Sequence, residues 1–261
     1  MILDIAFPTY DENETNYVDS LDNDLLKFAE GYKVNKWSFA SIINNEIIKK
    51  CGYFESMPSN LSFISGAGEE NISRMLEKKE IESFPTSGYG LTPAACLHIY
   101  PMLEKNRKKD EIVTTLQRVY RYEQGHFSEE TRLWEFWVRE FVAVGTEEYV
   151  QSFLRDFEKK ALEYSKNRYP ESRIRSANDF FYPSRENKII QRMQSKNNLK
   201  KELVVDINDK DVASASFNYH KTHFSRIFSF DEAGTVVTGC VGFGLNRWLA
   251  REKINWSCVK I

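Results

Sequence analysis

Gly239-Cys240-Val241-Gly242-Phe243-Gly244 is followed three residues later by Arg247. Glycines ahead of a helix let backbone approach a phosphate, and a guanidinium matches phosphate oxygens in pairs. The run is not a Walker loop, because no Gly-Lys-Ser/Thr follows. It is a poor dinucleotide fingerprint, because no further strand unit with an acid comes after it. Close packing of a strand on a helix accounts for such glycines equally well.

A second set of residues sits on two apolar stretches, 112–123 and 132–144, that flank the polar segment QGHFSEET. Arg121, Glu123, Arg132, Glu135 and Arg139 are interleaved there with large aromatics. As a hairpin, alternation places Arg121 and Glu123 on one face and Tyr120 and Tyr122 on the other. In the second strand, Glu135 and Arg139 share a face opposite Phe136 and Val138. The guanidiniums suit phosphate and Phe136 suits the face of a purine. Ion pairs across an exposed hairpin explain the same charges. A helix over 132–142 is the alternative, since Trp134, Val138 and Phe141 also fit helical spacing.

The rest of the chain must position these residues. Apolar spacing predicts helix from Leu21 to Lys50, turn-rich extended chain over 52–68, and a short charged helix from Asn71 to Ile81. Thr86 to Pro93 reads as a loop in which Thr92 caps a helix with Pro93 at its first position, stopped or kinked by Pro101. Residues 146–167 form an amphipathic helix capped by Thr146, and Glu186 to Leu199 a basic one. Strands are predicted at ELVVDI, VASASFNYH and SRIFSF, and the glycine-rich run leads from a strand into a helix. There is no linker or repeat, so one domain over residues 1–261 is expected. The 261 residues carry 36 Lys+Arg against 38 Asp+Glu, a net charge of -2, with 41% hydrophobic and 14% aromatic residues. That composition excludes a disordered or collagen-like chain and a globally basic nucleic-acid binder. The opening MILDIAFPTYDENETN lacks the basic n-region of a signal peptide, and no apolar run reaches the ~20 residues of a membrane helix. A cytoplasmic chain with no membrane contact is expected. Its scattered cysteines, Cys51, Cys96, Cys240 and Cys258, do not suggest a disulfide framework.

RYE at 121–123 with RLWEFWVRE at 132–140 resembles motif 2 of the class II aminoacyl-tRNA synthetases, and GCVGFGLNR at 239–247 resembles their motif 3. Motif 1 is not recognisable. GYFESMP at 52–58, TPAACLHIYP at 92–101, NDFF at 178–181 and SFNYHKTHF at 216–224 resemble the amino acid–carrier protein ligases, shortened relatives of the methanogen-type seryl-tRNA synthetases. The resemblance spans roughly residue 35 onward. It implies an α+β fold, a class II synthetase-like catalytic domain with an antiparallel sheet flanked by helices, and adenylation of a small amino acid by ATP. It assigns Arg121 to the α-phosphate, Glu123 and Phe136 to the adenine, Arg132 to the outer phosphates and Arg247 to the γ-phosphate. It implies a zinc ion (Zn2+) on Cys96, Glu135 and Cys240, and a homodimer. Two thiolates and a carboxylate leave a fourth tetrahedral position for the substrate amine. Cys51 and Cys258 take no role.

Magnesium (Mg2+) has no acid in the middle of VASASFNYH to hold it, so Glu202, Asp206 or water is expected to serve. Ser216 and Asn218 share a strand face, where they can touch substrate or satisfy backbone. His220 and His223 lack a clear ligand spacing and read as structural or supporting. The sequence shows neither a heptad stretch nor an anticodon-binding region, which points away from tRNA and toward a phosphopantetheinylated carrier protein as acceptor. From Arg185 to Lys201 the local charge is +5, set by Arg185, Lys188, Arg192, Lys196, Lys200 and Lys201 against Glu186. That segment either steers an acidic carrier or is a solvated helix face with Ile189, Ile190, Met193 and Leu199 buried beneath it. A minimal tRNA-aminoacylating enzyme and a non-catalytic synthetase paralogue are the alternatives. The arginines and the three ligand types speak against the paralogue.

Overall fold

A computed structural model describes residues 7–78, 86–106, 110–128, 131–230 and 234–259. Helix α1 (Glu12–Lys27) starts at a capping box in which Asp11 and Glu14 bond each other's backbone N–H, satisfying donors the first turn leaves open. The predicted helix over 21–50 is not continuous. The chain leaves α1, takes a left-handed turn at Gly31 (φ +89°), and forms β1 (Val34–Lys36), β2 (Ile42–Asn44) and the short α2 (Asn45–Lys50). Ile42 is exposed and Ile43 buried, an alternation of strand period inside what reads as helical spacing.

Next come α3 (Tyr53–Ser56), β3 (Phe63–Ser65), α4 (Glu69–Lys78) and β4 (Thr86–Leu91). The loop predicted over 86–93 is therefore largely strand, and Ile81 lies outside the described residues. Thr92 caps nothing: its hydroxyl donates to Ser41 O and meets His98 Nε2. A 3-10 turn (Ala95–His98) leads into α5 (Ile99–Asn106). Pro101 sits in the first turn of α5 and does not end it, because an N–H there has no helical partner to lose.

The predicted hairpin is present as β5 (Glu111–Tyr120) and β6 (Glu135–Gly145), paired from Glu111↔Val144 to Tyr120↔Glu135. The helical alternative for 132–142 is excluded, since Phe141, Val142 and Ala143 are all fully buried, one after another, on both faces of a central strand. Then follow α6 (Glu147–Lys166), β7 (Arg173–Ser176), α7 (Arg185–Lys196), β8 (Lys200–Ile207) and β9 (Lys210–Lys221). The last elements are α8 (His223–Ile227), β10 (Val237–Gly244) and α9 (Leu245–Val259). SRIFSF is not a strand. Lys221 turns left-handed (φ +52°) to end β9, and Thr222 O accepts from Arg226 N and Ser225 Oγ to close the turn of α8.

Among the described residues the main sheet is seven-stranded, ordered β1-β5-β6-β10-β9-β8-β7, and antiparallel except where β1 joins β5. A small sheet has the order β2-β4-β3. One face of the main sheet buries Phe141, Val241, Phe243 and Phe217 against α1, α6 and α9, which contribute Leu25, Phe153, Phe157 and Trp248. Each such side chain contributes about 1.5–3 kcal/mol. Arg139, which the sequence groups with the hairpin charges, points into this layer and donates bidentately to Asp22 of α1 at 2.6 Å. It is structural. The opposite face is partly covered by the 3-10 turn, α5 and α8. What they leave uncovered is the site.

Candidate functional site

Register puts the site together. Thr115, Glu140, Gly242, Ser216 and Glu202 lie opposite one another across five strands. One step along, Val142 faces Cys240 and Cys240 faces Asn218. These residues share a sheet face because pairing partners do. The 3-10 turn brings Cys96 over the same face, and ligand atoms of Cys96, Glu140 and Cys240 lie within 4.8 Å of one another. All three residues are buried.

The carboxylate of this cluster is Glu140, and the expected Glu135 is corrected. Glu135 lies five residues away, an odd step that moves it to the other face of β6, where it pairs with Arg118. Phe136 and Glu140 share a face by the same parity. Gly242 makes room for Glu140: a Cβ there would come 2.6 Å from Oε2. Gly239 likewise admits Val150 of α6, whose Cγ1 would lie 2.8 Å from a Cβ. The glycines are thus strand positions required by close approach, and not a turn.

Burial makes the charged forms of these groups costly. Burial pushes Glu140 up to about 7. A hydrogen bond with Cys96, burial and the neighbouring Glu140 charge hold the Cys240 thiol well above its usual range. A divalent cation relieves this, since ligands bind metal in their deprotonated forms. Two sulfurs and one carboxylate oxygen suit zinc. Cys51 is buried in the same apolar cluster but outside the ligand set, and the side chain of Cys258 lies outside the described residues.

The arginines gather beside this cluster. Arg121 follows the last residue of β5, its Nε donates to Pro93 O at 3.0 Å, and its guanidinium lies 5.3 Å from the Phe136 ring centroid. Arg247, in the first turn of α9, donates from Nε and Nη2 to Thr131 O and from Nη1 to Ala213 O. Burial, the nearby Arg121 charge and, to a smaller degree, Arg132 lower its pKa against the pull of Glu123 and Glu202. Like charges acting on one another in this way make the locality attractive to an anion. Arg132 reaches Glu123 at 3.5 Å. Arg121 and Glu123 do not alternate as strand residues, because Glu123 and Gln124 turn left-handed in a 3-10 turn.

Glu202 faces Ser216 across the β8–β9 pair and is half-buried on the site face. Asp206 lies at the far end of β8, where it accepts from Asp209 N of the hairpin turn, so of the two expected acids Glu202 is the one whose charge acts on Arg247. Asn218 donates to Ser216 Oγ at 3.3 Å and to Cys240 Sγ at 3.5 Å. Asp179 of the NDFF segment, given no role by the sequence reading, is bonded to Lys200 and Gln194. Burial pushes its carboxyl up, but the Lys200 charge and these bonds together hold it below its ordinary range. Glu140 and Asp179 were missed because only strand register and a loop crossing bring them in.

α7 is the other notable surface. Asn187 anchors it by donating to Glu55 O and Tyr182 O. Ile189, Ile190 and Met193 are not buried as expected but exposed, Met193 at 58%, and Phe180 beside them is 85% exposed. Lys200 and Lys201 do not belong to this surface: they leave on β8 to Asp179 and Glu158. Arg185, Lys188, Arg192 and Lys196 remain exposed on α7.

This architecture is that of the class II aminoacyl-tRNA synthetase catalytic domains. The structure is similar to M. kandleri SerRS, solved in complex with A. aeolicus tRNASec, with a TM-score of 0.74 at 19% identity over 94% of this chain and 53% of that chain. Giardia lamblia prolyl-tRNA synthetase in complex with prolyl-adenylate gives 0.66 at 13% identity, over 94% and 47%. In sequence, the chain is similar to amino acid–[acyl-carrier-protein] ligase 2 of Bradyrhizobium diazoefficiens, 28% identical over 223 residues, which are 80% of this chain and 66% of that protein. It is also similar to the type-2 serine–tRNA ligase of Methanococcus aeolicus, 29% identical over 81% of this chain and 45% of that protein. The match thus spans just under two thirds of the first relative and less than half of the second. No protein-family model matches the chain. Among the described residues, no helix is long and apolar enough to cross a membrane.

Proposed function

We propose that the chain activates a small amino acid with ATP and transfers it to the phosphopantetheine thiol of a carrier protein. One observation carries this reading: Glu140 and Cys240 share a sheet face with Phe136, Cys96 lies over them on the 3-10 turn, and the Arg121 charge acts on both Glu140 and Arg247. Cys96, Glu140 and Cys240 would hold zinc, which when bound supplies a Lewis-acid position for the substrate amine. Arg121, whose charge acts on Glu140, would be the residue that meets the amino acid's carboxylate. The carboxylate attacks the α-phosphorus of ATP and pyrophosphate leaves. Among the described residues Arg121 donates from its Nε to Pro93 O, so its terminal nitrogens would meet the charge that builds on the α-phosphate, with Arg247 and Arg132 toward the leaving pyrophosphate. Phe136 would stack on the adenine and Glu123 would accept from its amino group, while Glu202 would be the acid to hold magnesium. This is catalysis by positioning and charge, and needs no protein nucleophile. The thiol then attacks the acyl carbon, AMP leaves and a thioester forms.

The carrier is placed on α7. Its basic side chains flank an exposed apolar strip, and a carrier protein is an acidic helical bundle, so charge steers the encounter while Ile189, Ile190 and Met193 are covered. A homodimer is part of the same reading, tested by sedimentation. The similarity to the serine–tRNA ligase favours a second reading, aminoacylation of tRNA. Amino-acid-dependent ATP–pyrophosphate exchange across the twenty amino acids tests activation. Labelled transfer to phosphopantetheinylated carrier, with apo carrier and purified tRNA as parallel acceptors, separates the two readings. A hydroxylamine-labile product on the carrier alone is expected. Efficient charging of tRNA overturns the carrier reading.

A further inference from the structure

His220 is a half-buried ring that the reaction above does not use, and the fold aims it with some care. β9 and β10 pair Tyr219 with Gly239 and then Lys221 with Thr238, so His220 is an extra residue between two matched pairs. Such a bulge re-aims a side chain. Phe224 packs edge-on against the ring, with centroids 4.9 Å apart, and is itself stacked on Tyr100 at 3.7 Å. In that slot Nδ1 lies 3.2 Å from Thr238 Oγ1 and 3.4 Å from Tyr100 Oη, while Nε2 lies 3.7 Å from Cys240 Sγ.

These neighbours fix the proton. Thr238 and Tyr100 carry hydroxyls that can donate, so Nδ1 can be the accepting nitrogen. A metal-bound Cys240 is a thiolate with lone pairs only, so the nitrogen facing it must carry the hydrogen. The tautomer with hydrogen on Nε2 gives the sulfur a donor and leaves the single lone pair of Nδ1 to accept from the nearer Thr238 hydroxyl, whereas the other opposes a lone pair to the sulfur. Asn218 Nδ2 approaches the same sulfur at 3.5 Å. Neither ring nitrogen belongs to the set of ligand atoms within 4.8 Å of one another, so His220 stands behind the sulfur.

We propose that His220 is a positioning residue for Cys240: Thr238 sets its tautomer, and its Nε2–H orients and stabilises the thiolate that holds the metal. The inference rests on the metal reading of Cys96, Glu140 and Cys240. Supporting groups behind a metal ligand change metal affinity by ~10–100-fold, so the readout is the metal itself. Zn2+ affinity is measured by competition with a chromophoric chelator, and the thiolate-to-metal charge-transfer band is recorded on the Co2+ form. His220→Ala is expected to weaken Zn2+ binding by ~10-fold or more and to shift the Co2+ band. His220→Gln, which returns an N–H near the Nε2 position, restores both. Thr238→Val, which leaves the ring in place with only the longer Tyr100 contact at Nδ1, gives an intermediate loss and serves if His220→Ala does not fold. Unchanged Zn2+ affinity in His220→Ala, or a Gln variant no better than the Ala variant, overturns the role. X-ray absorption of the zinc form showing a nitrogen ligand that disappears in His220→Ala also overturns it, making His220 a ligand. Wild-type protein that binds no Zn2+ overturns both this role and the metal reading, whereas normal Zn2+ binding in His220→Ala removes the role alone.

Discussion

The ligand cluster and the α7 surface are built in opposite ways. Cys240 and Glu140 project from adjacent strands in the middle of the sheet, with Cys96 laid over them, all buried. α7 is tied down by a few polar contacts, chiefly those of Asn187 and Gln194, and shows solvent an apolar strip that core packing does not need. In the first region neighbours on four elements fix each atom. In the second, Ile189, Ile190 and Met193 stay exposed, an apolar patch rimmed with charge on which the proposed carrier would dock. Errors in the first region should stop chemistry, and errors in the second should stop only the encounter with the acceptor.

The largest expected effect breaks the first region. Cys96→Ser, Cys240→Ser and Glu140→Gln should each lose the roughly one zinc per chain expected of a three-ligand site and, with it, pyrophosphate exchange. Glu135→Gln should keep both, since its carboxylate lies on the other face with Arg118. Elemental analysis finding no zinc in active protein removes the metal. Next, Arg121→Ala should keep zinc but lower exchange by ~100-fold or more, the scale of one lost transition-state charge contact. Near wild-type exchange would take the α-phosphate away from Arg121. Smaller again, replacing Lys188, Arg192 and Lys196 by Glu should slow transfer to the carrier by about tenfold at low salt, less at high salt, through lost steering. Exchange should be unaffected, and equal loss in both assays would assign α7 to the fold.

The smallest effect concerns the link between the regions, the Asp179 carboxylate held by Lys200 and by Gln194 of α7. Its folded pKa lies below the ordinary 3.8. Its contribution to stability is therefore present above that value and lost as pH falls through and below it. Denaturation midpoints followed downward from pH 5 should drop less steeply for Asp179→Asn than for wild type. Identical slopes would mean that the carboxylate is not held in this way.

How much of this was legible in the sequence depends on which side chains local pattern can place. The β5–β6 hairpin, α6 with its Thr146 cap and the β10-to-α9 junction could be read because alternation, capping and helical spacing are local. So could the short distance between Arg121 and Phe136, which the hairpin brings together. The step from Glu135 to Glu140 could not be read from a match of residue types, although strand parity already separates Glu135 from Phe136. The helix predicted across 21–50 failed where apolar residues on two helices and two strands happened to share a spacing.

The sequence by itself determined which residue types the protein carries: arginines that suit phosphate, aromatics that suit a base, cysteines and carboxylates that suit a metal, and glycines where backbones must close. Only the tertiary structure decided which of them meet. Strand register across the sheet chose Glu140 and matched it to Gly242, and a bulge turned His220 onto Cys240. The route of the chain after Asp179 left the apolar strip of α7 facing solvent. The physical reason is that register, bulges and burial are settled by contacts between residues far apart in sequence, and a local pattern holds no record of its distant partner.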